Sequence, residues 1–252
     1  MFKSMHYAEE PLVICNVWDA TSAKIAEKIG FKAIGTSSAA IAHNLGKDDG
    51  ENIQFEDLLL IVKAIKRITT LPLTVDIESG FGDMPEVIAK NIIELVNLGV
   101  VGINIEDSVL VQGQRRLTDS ASFSNMLSKV RHQLIEADVE VFINVRSDAF
   151  LLAVDDPVAV SIERISRYQQ SGADGIFLPC IRNIGDIRAV VTSTPLPVNV
   201  MCVPELPSFS ELKDLGVKRI SMGNFVHEAM LASLSSSLMS IKQDQTFQAL
   251  FV

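Results

Sequence analysis

One unit recurs along this chain: a short apolar run, a polar junction, and a longer amphipathic stretch that ends at glycine. The segments "NLGVVGINIE", "QSGADGIFLP" and "KDLGVKRISM" share one order of events, a helix end, a glycine and then a buried strand. Read from the start, Leu12 to Val17 forms the first run, and a helix pattern from Thr21 to Ile29 stops at Gly30. Ala33 to Thr36 leads to a Gly- and Asp-rich loop and a helix from Gln54 to Ile68. Leu73 to Asp76 leads to a helix from Pro85 to Leu98, stopped by Gly99. Val100 to Ile105 leads to a long loop and a helix from Phe123 to Glu136. The second half repeats the pattern with strands at 140–145, 175–178, 197–201 and 218–222 and helices at 157–170, 184–191, 209–215 and 225–241. Pro85 and Pro157 suit a first helical turn, where no backbone donor is lost. The closing glycines suit a left-handed residue after the last turn. Strands that are apolar throughout belong in a parallel sheet covered on both faces.

Eight such units in 252 residues, with no second composition regime, predict one closed (β/α)8 TIM barrel, an α/β domain spanning 1–252. The competing open doubly wound sheet would want a glycine-rich loop after the first strand, where "WDATSA" stands instead. The composition, 48% hydrophobic and 21% charged, is that of a globular chain with a sizeable core. A net charge of −9 and no basic cluster beyond Arg115-Arg116 argue against nucleic acid as a partner. The polar start, Met1 to Glu10, has no signal-peptide core, and no apolar run is long enough to span a membrane. A cytoplasmic protein is the expectation. Cys15, Cys180 and Cys202 are widely spaced, without zinc spacing, and read as buried reduced thiols.

In a barrel of this kind the active site lies at the C-terminal ends of the strands. There the second strand ends in Thr36-Ser37-Ser38 and the third in Asp76-Ile77-Glu78-Ser79-Gly80. The fourth ends in Glu106-Asp107-Ser108 and the fifth in Asn144-Val145-Arg146-Ser147-Asp148. Asp76 and Glu78 are two apart, Glu106 and Asp107 come from the next strand, and Asp48-Asp49 lie on the loop after the second. Carboxylates gathered at one mouth repel unless a cation neutralises them. Oxygen donors without His or Cys suit Mg2+ or Mn2+. The plainer alternative has Asp76 capping its own loop and Glu106 pairing with Arg146. Arg146, the cation among these strand ends, offers a planar fork to a substrate carboxylate, or else an internal bridge to Glu106 or Asp148. Ser37 and Ser38 can offer hydroxyl and backbone donors to a carboxylate or oxyanion, though both are also ordinary turn residues.

These residues resemble the isocitrate lyase and phosphoenolpyruvate mutase superfamily. The segments that carry the resemblance run from "NVWDATSAKI" and "GTSSAAIAHNLGKDDGE" through "VDIESGFGD", "GINIEDS" and "INVRSDAF" to "SGADGIFLP" and "GVKRISMGN", nearly the whole chain. The resemblance implies a metal-dependent barrel that stabilises an enolpyruvate-like intermediate while a bond next to a 2-oxo acid breaks or forms. It implies Asp49, Asp76, Glu78 and Glu106 as metal-site carboxylates, with Asp76 the direct ligand and the rest acting mostly through water. Ser37, with backbone groups near Ser38 and Ala39, would cradle the substrate carboxylate and enolate oxygen. Arg146 would bind substrate, so that Arg146, Ser37 and Glu106 carry the catalysis. The chain departs from the family in the loop after the fourth strand. Lyases of the group carry a cysteine there and mutases a Lys-Thr-Asn run, whereas this chain reads Val111-Gln112-Gly113-Gln114-Arg115-Arg116, with Gln112 near the expected lysine. Glu78 also stands where aspartate is more usual.

Weaker candidates complete the reading. Trp18 and Asp19 would flank the site, Asn224 would reach it from the last strand, and His227 reads as structural. Arg115 and Arg116 either close over an acidic substrate or form a solvated pair, the latter being the plainer view. Three functions follow for a small carboxylate substrate: a carbon–carbon lyase or decarboxylase, a P–C bond enzyme, or a barrel that only binds a 2-oxo acid. The apolar C-terminal residues Leu238, Met239, Phe247, Leu250, Phe251 and Val252 predict a homo-oligomer.

Overall fold

The structure, a computed structural model, describes residues 2–50 and 52–251. Ten strands occur in it: β1 (Leu12–Val17), β2 (Ile34–Thr36), β3 (Leu73–Asp76), β4 (Gly102–Glu106), β5 (Ser108–Val111), β6 (Gln114–Leu117), β7 (Phe142–Arg146), β8 (Gly175–Leu178), β9 (Val198–Met201) and β10 (Arg219–Ser221). All but β5 and β6 close into a parallel barrel in the order β1-β10-β9-β8-β7-β4-β3-β2. The expected fold is therefore observed, and every expected strand is present within one or two residues of its predicted ends.

The helices in chain order are α1 (Phe2–Met5), α2 (Ala20–Ile29), α3 (Ser38–Asn44), α4 (Phe55–Lys66), α5 (Pro85–Asn97), α6 (Ser120–Glu136), α7 (Pro157–Gln170), α8 (Ile184–Ser193), α9 (Phe209–Asp214) and α10 (Phe225–Asp244). Their ends follow the punctuation. Asp19 caps α2 by accepting from the Ser22 backbone N–H, and Gly30 closes it at φ 97. The extensive apolar core lies between barrel and helices, with Val75, Ile103, Ile105, Val145 and Ile176 facing Ile92, Leu127, Val130 and Ile165.

The barrel's inside is different. Strand side chains alternate between faces, and the inward set, Asn104, Asn144, Asn199, Arg219 and Ser221, is polar and buried. Asn144 Nδ2 donates to Asn104 Oδ1 (2.9 Å) and Asn199 Oδ1 (3.1 Å), and Arg219 Nη2 donates to Asn104 Oδ1 (3.3 Å). The lower end is plugged by Phe2, Leu12, Ile14 and Phe142, with the His6 ring stacked on Phe142 at 4.1 Å. Burial, and then the Arg219 charge, push His6 down to about 4, so it is neutral.

Two elements that the sequence presents as loop are ordered. Ser37 starts α3 directly after β2. β5 and β6 form an antiparallel hairpin whose two turn residues, Gln112 and Gly113, both have positive φ (52 and 76), as a tight hairpin turn requires.

Candidate active site

The mouth at the C-terminal strand ends holds a cavity of about 220 Å³. Ser37, Ser38, Ala39, Asp49, Asp76, Arg146 and Asn224 all line it, as expected. So do Asn16, Thr36, Asn104, Arg115, Phe177 and Ser221. Glu78 and Glu106 instead line an adjoining cavity of about 180 Å³, together with Gly50, Asp83, Ser108 and Leu110. Arg115 borders both. The four carboxylates expected around one metal thus share one mouth but divide between two cavities.

The backbone fixes each group. Ser37 caps α3, its Oγ accepting the Ala40 N–H at 3.3 Å. Ser38 and Ala39 begin that helix, where backbone N–H groups have no acceptor within the helix. Asp76 ends β3. Its N–H donates to Thr36 Oγ1 (2.8 Å) and its Oδ1 accepts the Glu78 N–H (3.0 Å). Burial raises the Asp76 pKa, against the pull of Arg146, and the nearby Asp49 raises it further. Glu78 is buried, with φ 51. It lines the adjoining cavity.

Glu106 meets two arginines at the mouth. Its Oε1 accepts from Arg115 Nη1, and its Oε2 lies 2.7 Å from Arg146 Nη1. Each oxygen thus faces a guanidinium group, and Oε2, though paired in charge with Arg146, has no hydrogen-bond partner among the described residues. Burial pushes the Glu106 carboxyl up to about 7 despite Arg146. Arg146 is further held by Asp148, through Nε (2.6 Å) and Nη2 (3.1 Å). The internal-bridge reading of Arg146 is therefore correct in geometry, and the residue still lines the cavity. Arg115 is not a solvated loop residue, because its side chain is largely buried against Glu106 and Ser108. Arg116 is exposed and donates to Gln114.

Other expectations need correction. Asp107 does not face the mouth. It accepts from Ser147 Oγ (2.8 Å), Arg164 Nη1 (2.8 Å) and Tyr168 Oη (2.7 Å) in the wall behind β4. Trp18 is buried against the His227 ring at 4.8 Å and is not among the residues lining the cavity, because the tight cap at Asp19 turns the chain away there. His227 is buried and bonded to Asn44 at 2.9 Å, the structural role expected. Asn224 reaches the cavity but also donates to Glu228. Cys15 and Cys180 are half-buried, and Cys202 is exposed rather than buried. Among the residues missed, Asn104 had a signal, since it stands two positions before Glu106 on its strand. Arg115, read from the sequence as either closing over an acidic substrate or lying in a solvated pair, borders the cavity.

Among the described residues, no three Asp, Glu, His or Cys groups form a ready metal cage. The donors fit a hard cation held more sparingly. Mg2+ is typically bound by one or two carboxylates and keeps several waters. Asp76 and Asp49 are the two carboxylates lining the 220 Å³ cavity, and their mutual repulsion is what such a cation would relieve.

The sequence model for phosphoenolpyruvate phosphomutase matches residues 2–242. The chain belongs to that family. The family placement also bears out the resemblance to the wider mutase and isocitrate lyase superfamily. A Burkholderia cenocepacia protein assigned only provisionally as a phosphonomutase superposes with a TM-score of 0.88 at 36% identity, over 94% of this chain and 97% of its own. The oxaloacetate decarboxylase of Pseudomonas aeruginosa is 27% identical over 97% of this chain and 84% of its own length. A 2,3-dimethylmalate lyase of the same superfamily has a TM-score of 0.85 at 22% identity, over 96% of this chain and 87% of its own, a likeness of fold.

Proposed function

We propose that this family member acts on a small 2-oxo acid at the 220 Å³ cavity, breaking the bond next to the carbonyl and passing through an enolate. It is an enzyme of the lyase kind found in its superfamily, and a decarboxylase of a 2-oxo dicarboxylate is the reading we favour. The observation that carries this is the meeting, in one cavity, of Asp76 and Asp49 with the Ser37–Ala39 helix start and the Arg146 guanidinium. A bound Mg2+ or Mn2+, held by Asp76 and Asp49, would supply Lewis-acid polarisation of the carbonyl. The chain's own groups do the rest. Ser37 Oγ and the N–H groups of Ser38 and Ala39 hold the substrate carboxylate and the developing enolate oxygen. Arg146, fixed on two sides by Glu106 and Asp148, keeps its remaining donors for substrate. The C–C bond breaks, its electron pair becomes the enolate, carbon dioxide leaves, and a proton on the carbanion carbon completes pyruvate.

The decarboxylase relative in Pseudomonas aeruginosa supports this reading. The provisional phosphonomutase relative keeps a P–C bond enzyme as the second. The intact cavity argues against a barrel that only binds its ligand. Pyruvate formed from oxaloacetate, and pyruvate or phosphoenolpyruvate formed from phosphonopyruvate, with Mg2+, with Mn2+ and with a chelator, decide between them. No product from either compound with either metal would overturn the enzyme reading.

Two further points belong to this proposal. No helix among the described residues is long and apolar enough to cross a membrane, and a cytoplasmic setting suits free thiols. α10 buries only His227 and exposes Met230, Leu234, Leu238 and Met239, followed by Phe247, Leu250 and Phe251. Val252, the last residue of that stretch, lies outside the described residues. A helix so poorly covered by its own barrel supports a homo-oligomer.

A further inference from the structure

We infer that Arg115 is a specificity-determining residue of this cavity, donating to an anionic group at the far end of the substrate. The inference rests on the proposed site and adds a residue and a ligand group to it. Arg115 and Arg146 share one carboxylate, Glu106, each taking a different oxygen, and both line the same cavity. Two guanidinium groups are thus held side by side by one buried carboxyl group. Among the described residues, the polar contacts that hold Arg115 run through Nη1, to Glu106, to Ser108 Oγ (3.0 Å) and to Asp148 (3.6 Å). Nη2 lies on the side of Gly50, 3.8 Å from where a Cβ on that glycine would stand. The hairpin that carries Arg115 is pinned over the cavity. Leu110 packs on Gly50 so closely that a Cβ there would stand 2.1 Å from Leu110 Cδ1.

Arg115 is therefore pre-organised, with Nη1 anchored and Nη2 beside Gly50, where the side chain borders both cavities. A planar fork in that state suits an oxyanion, and little side-chain entropy remains to be lost. Arg146 has Nε, Nη1 and Nη2 already engaged, so it meets one carboxylate of the substrate, not both ends. The far group read by Arg115 is a carboxylate or a phosphonate, two sources of the same chemistry.

The test measures binding by calorimetry with Mn2+ present, using 2-hydroxy analogues that lack the carbonyl needed to release the far group. Malate carries a far carboxylate, 3-phosphonolactate a far phosphonate, and lactate neither. Oxalate reports on the metal and the Ser37 cradle alone. In the wild type, malate or 3-phosphonolactate should bind more tightly than lactate. Arg115→Met should weaken the preferred one by about 10- to 100-fold, as the loss of a charge-assisted hydrogen bond implies, while lactate and oxalate change little. Arg115→Lys should recover part of the loss. Equal weakening of all four ligands would overturn the inference, as would far-group binding indifferent to Arg115→Met while oxalate still binds. Failure of wild-type protein to bind oxalate or Mn2+ would overturn the proposed site itself, and the inference with it. The melting temperature of each variant confirms folded protein.

Discussion

Glu106 and Asp107 are neighbours in the chain, both buried, and both bonded to arginine, yet they belong to different machines. Glu106 ends β4 on the inward face and clamps Arg115 and Arg146 at the mouth. Asp107 turns outward and ties Arg164, Tyr168 and Ser147 into the wall. The Glu106 network leaves guanidinium donors facing a cavity. The Asp107 side chain has only protein partners, among them the Asp148 N–H (3.0 Å), by which the wall steadies the residue that holds Arg146. An ion network with an open edge serves a ligand, and one without serves the fold.

The sharpest way to break this comparison is to cut the closed network. Asp107→Asn leaves Arg164 buried without its anion. The loss expected for one partner of a buried pair is about 3–5 kcal/mol of stability. Denaturant melts should show it, while turnover of the protein that remains folded stays near normal. A large fall in turnover with an unchanged melt would place Asp107 in the site.

Arg146→Lys should do the opposite. Lysine keeps the charge but loses the planar grip. The rate should fall by roughly 30- to 1,000-fold, corresponding to about 2–4 kcal/mol of transition-state stabilisation. A large drop in melting temperature with normal turnover would reassign Arg146 to the wall.

Glu106→Gln sharpens the contrast through pH. Burial holds the Glu106 carboxyl at about 7 in the folded chain, against an ordinary 4.5. A carboxyl that binds its proton more tightly when folded contributes stability below the unfolded value, and that stability is lost as pH rises through the folded one. Relative to wild type, the Gln variant should therefore gain melting temperature as pH rises from about 5 to about 8. A difference that stays flat across that range would mean that Glu106 is ionised throughout.

The smallest effect concerns the roof over the open network. Gly50 has φ +106, which strains any L side chain, and Gly50→Ala would press on Leu110. KM should rise several-fold with little change in melting temperature, read from steady-state kinetics and a melt on the same preparation. Sedimentation at micromolar concentration tests the exposed face of α10. A clean monomer would show that the apolar C-terminal stretch needs no partner.

The repeating strand–helix–glycine unit was enough to specify the barrel. Periodicity and helix stops are local properties, and a parallel sheet closed on itself is what satisfies eight such units. The same reading placed Ser37, Ser38, Ala39, Asp49, Asp76, Arg146 and Asn224 at one mouth, because strand ends in this fold converge there. Three things were decided only by the tertiary structure. Glu78 and Glu106 line a cavity beside that of Asp76, and Glu106 meets two arginines that come from other strands. Asp107 was sent to the wall because successive residues at a strand end point to opposite faces. Arg115 was brought into the site because a hairpin with two positive-φ residues folds it back over Glu106. Spacing along the chain reports which face a residue occupies, but the partner that meets a charge there comes from another strand or loop, and only the closed barrel brings the two together.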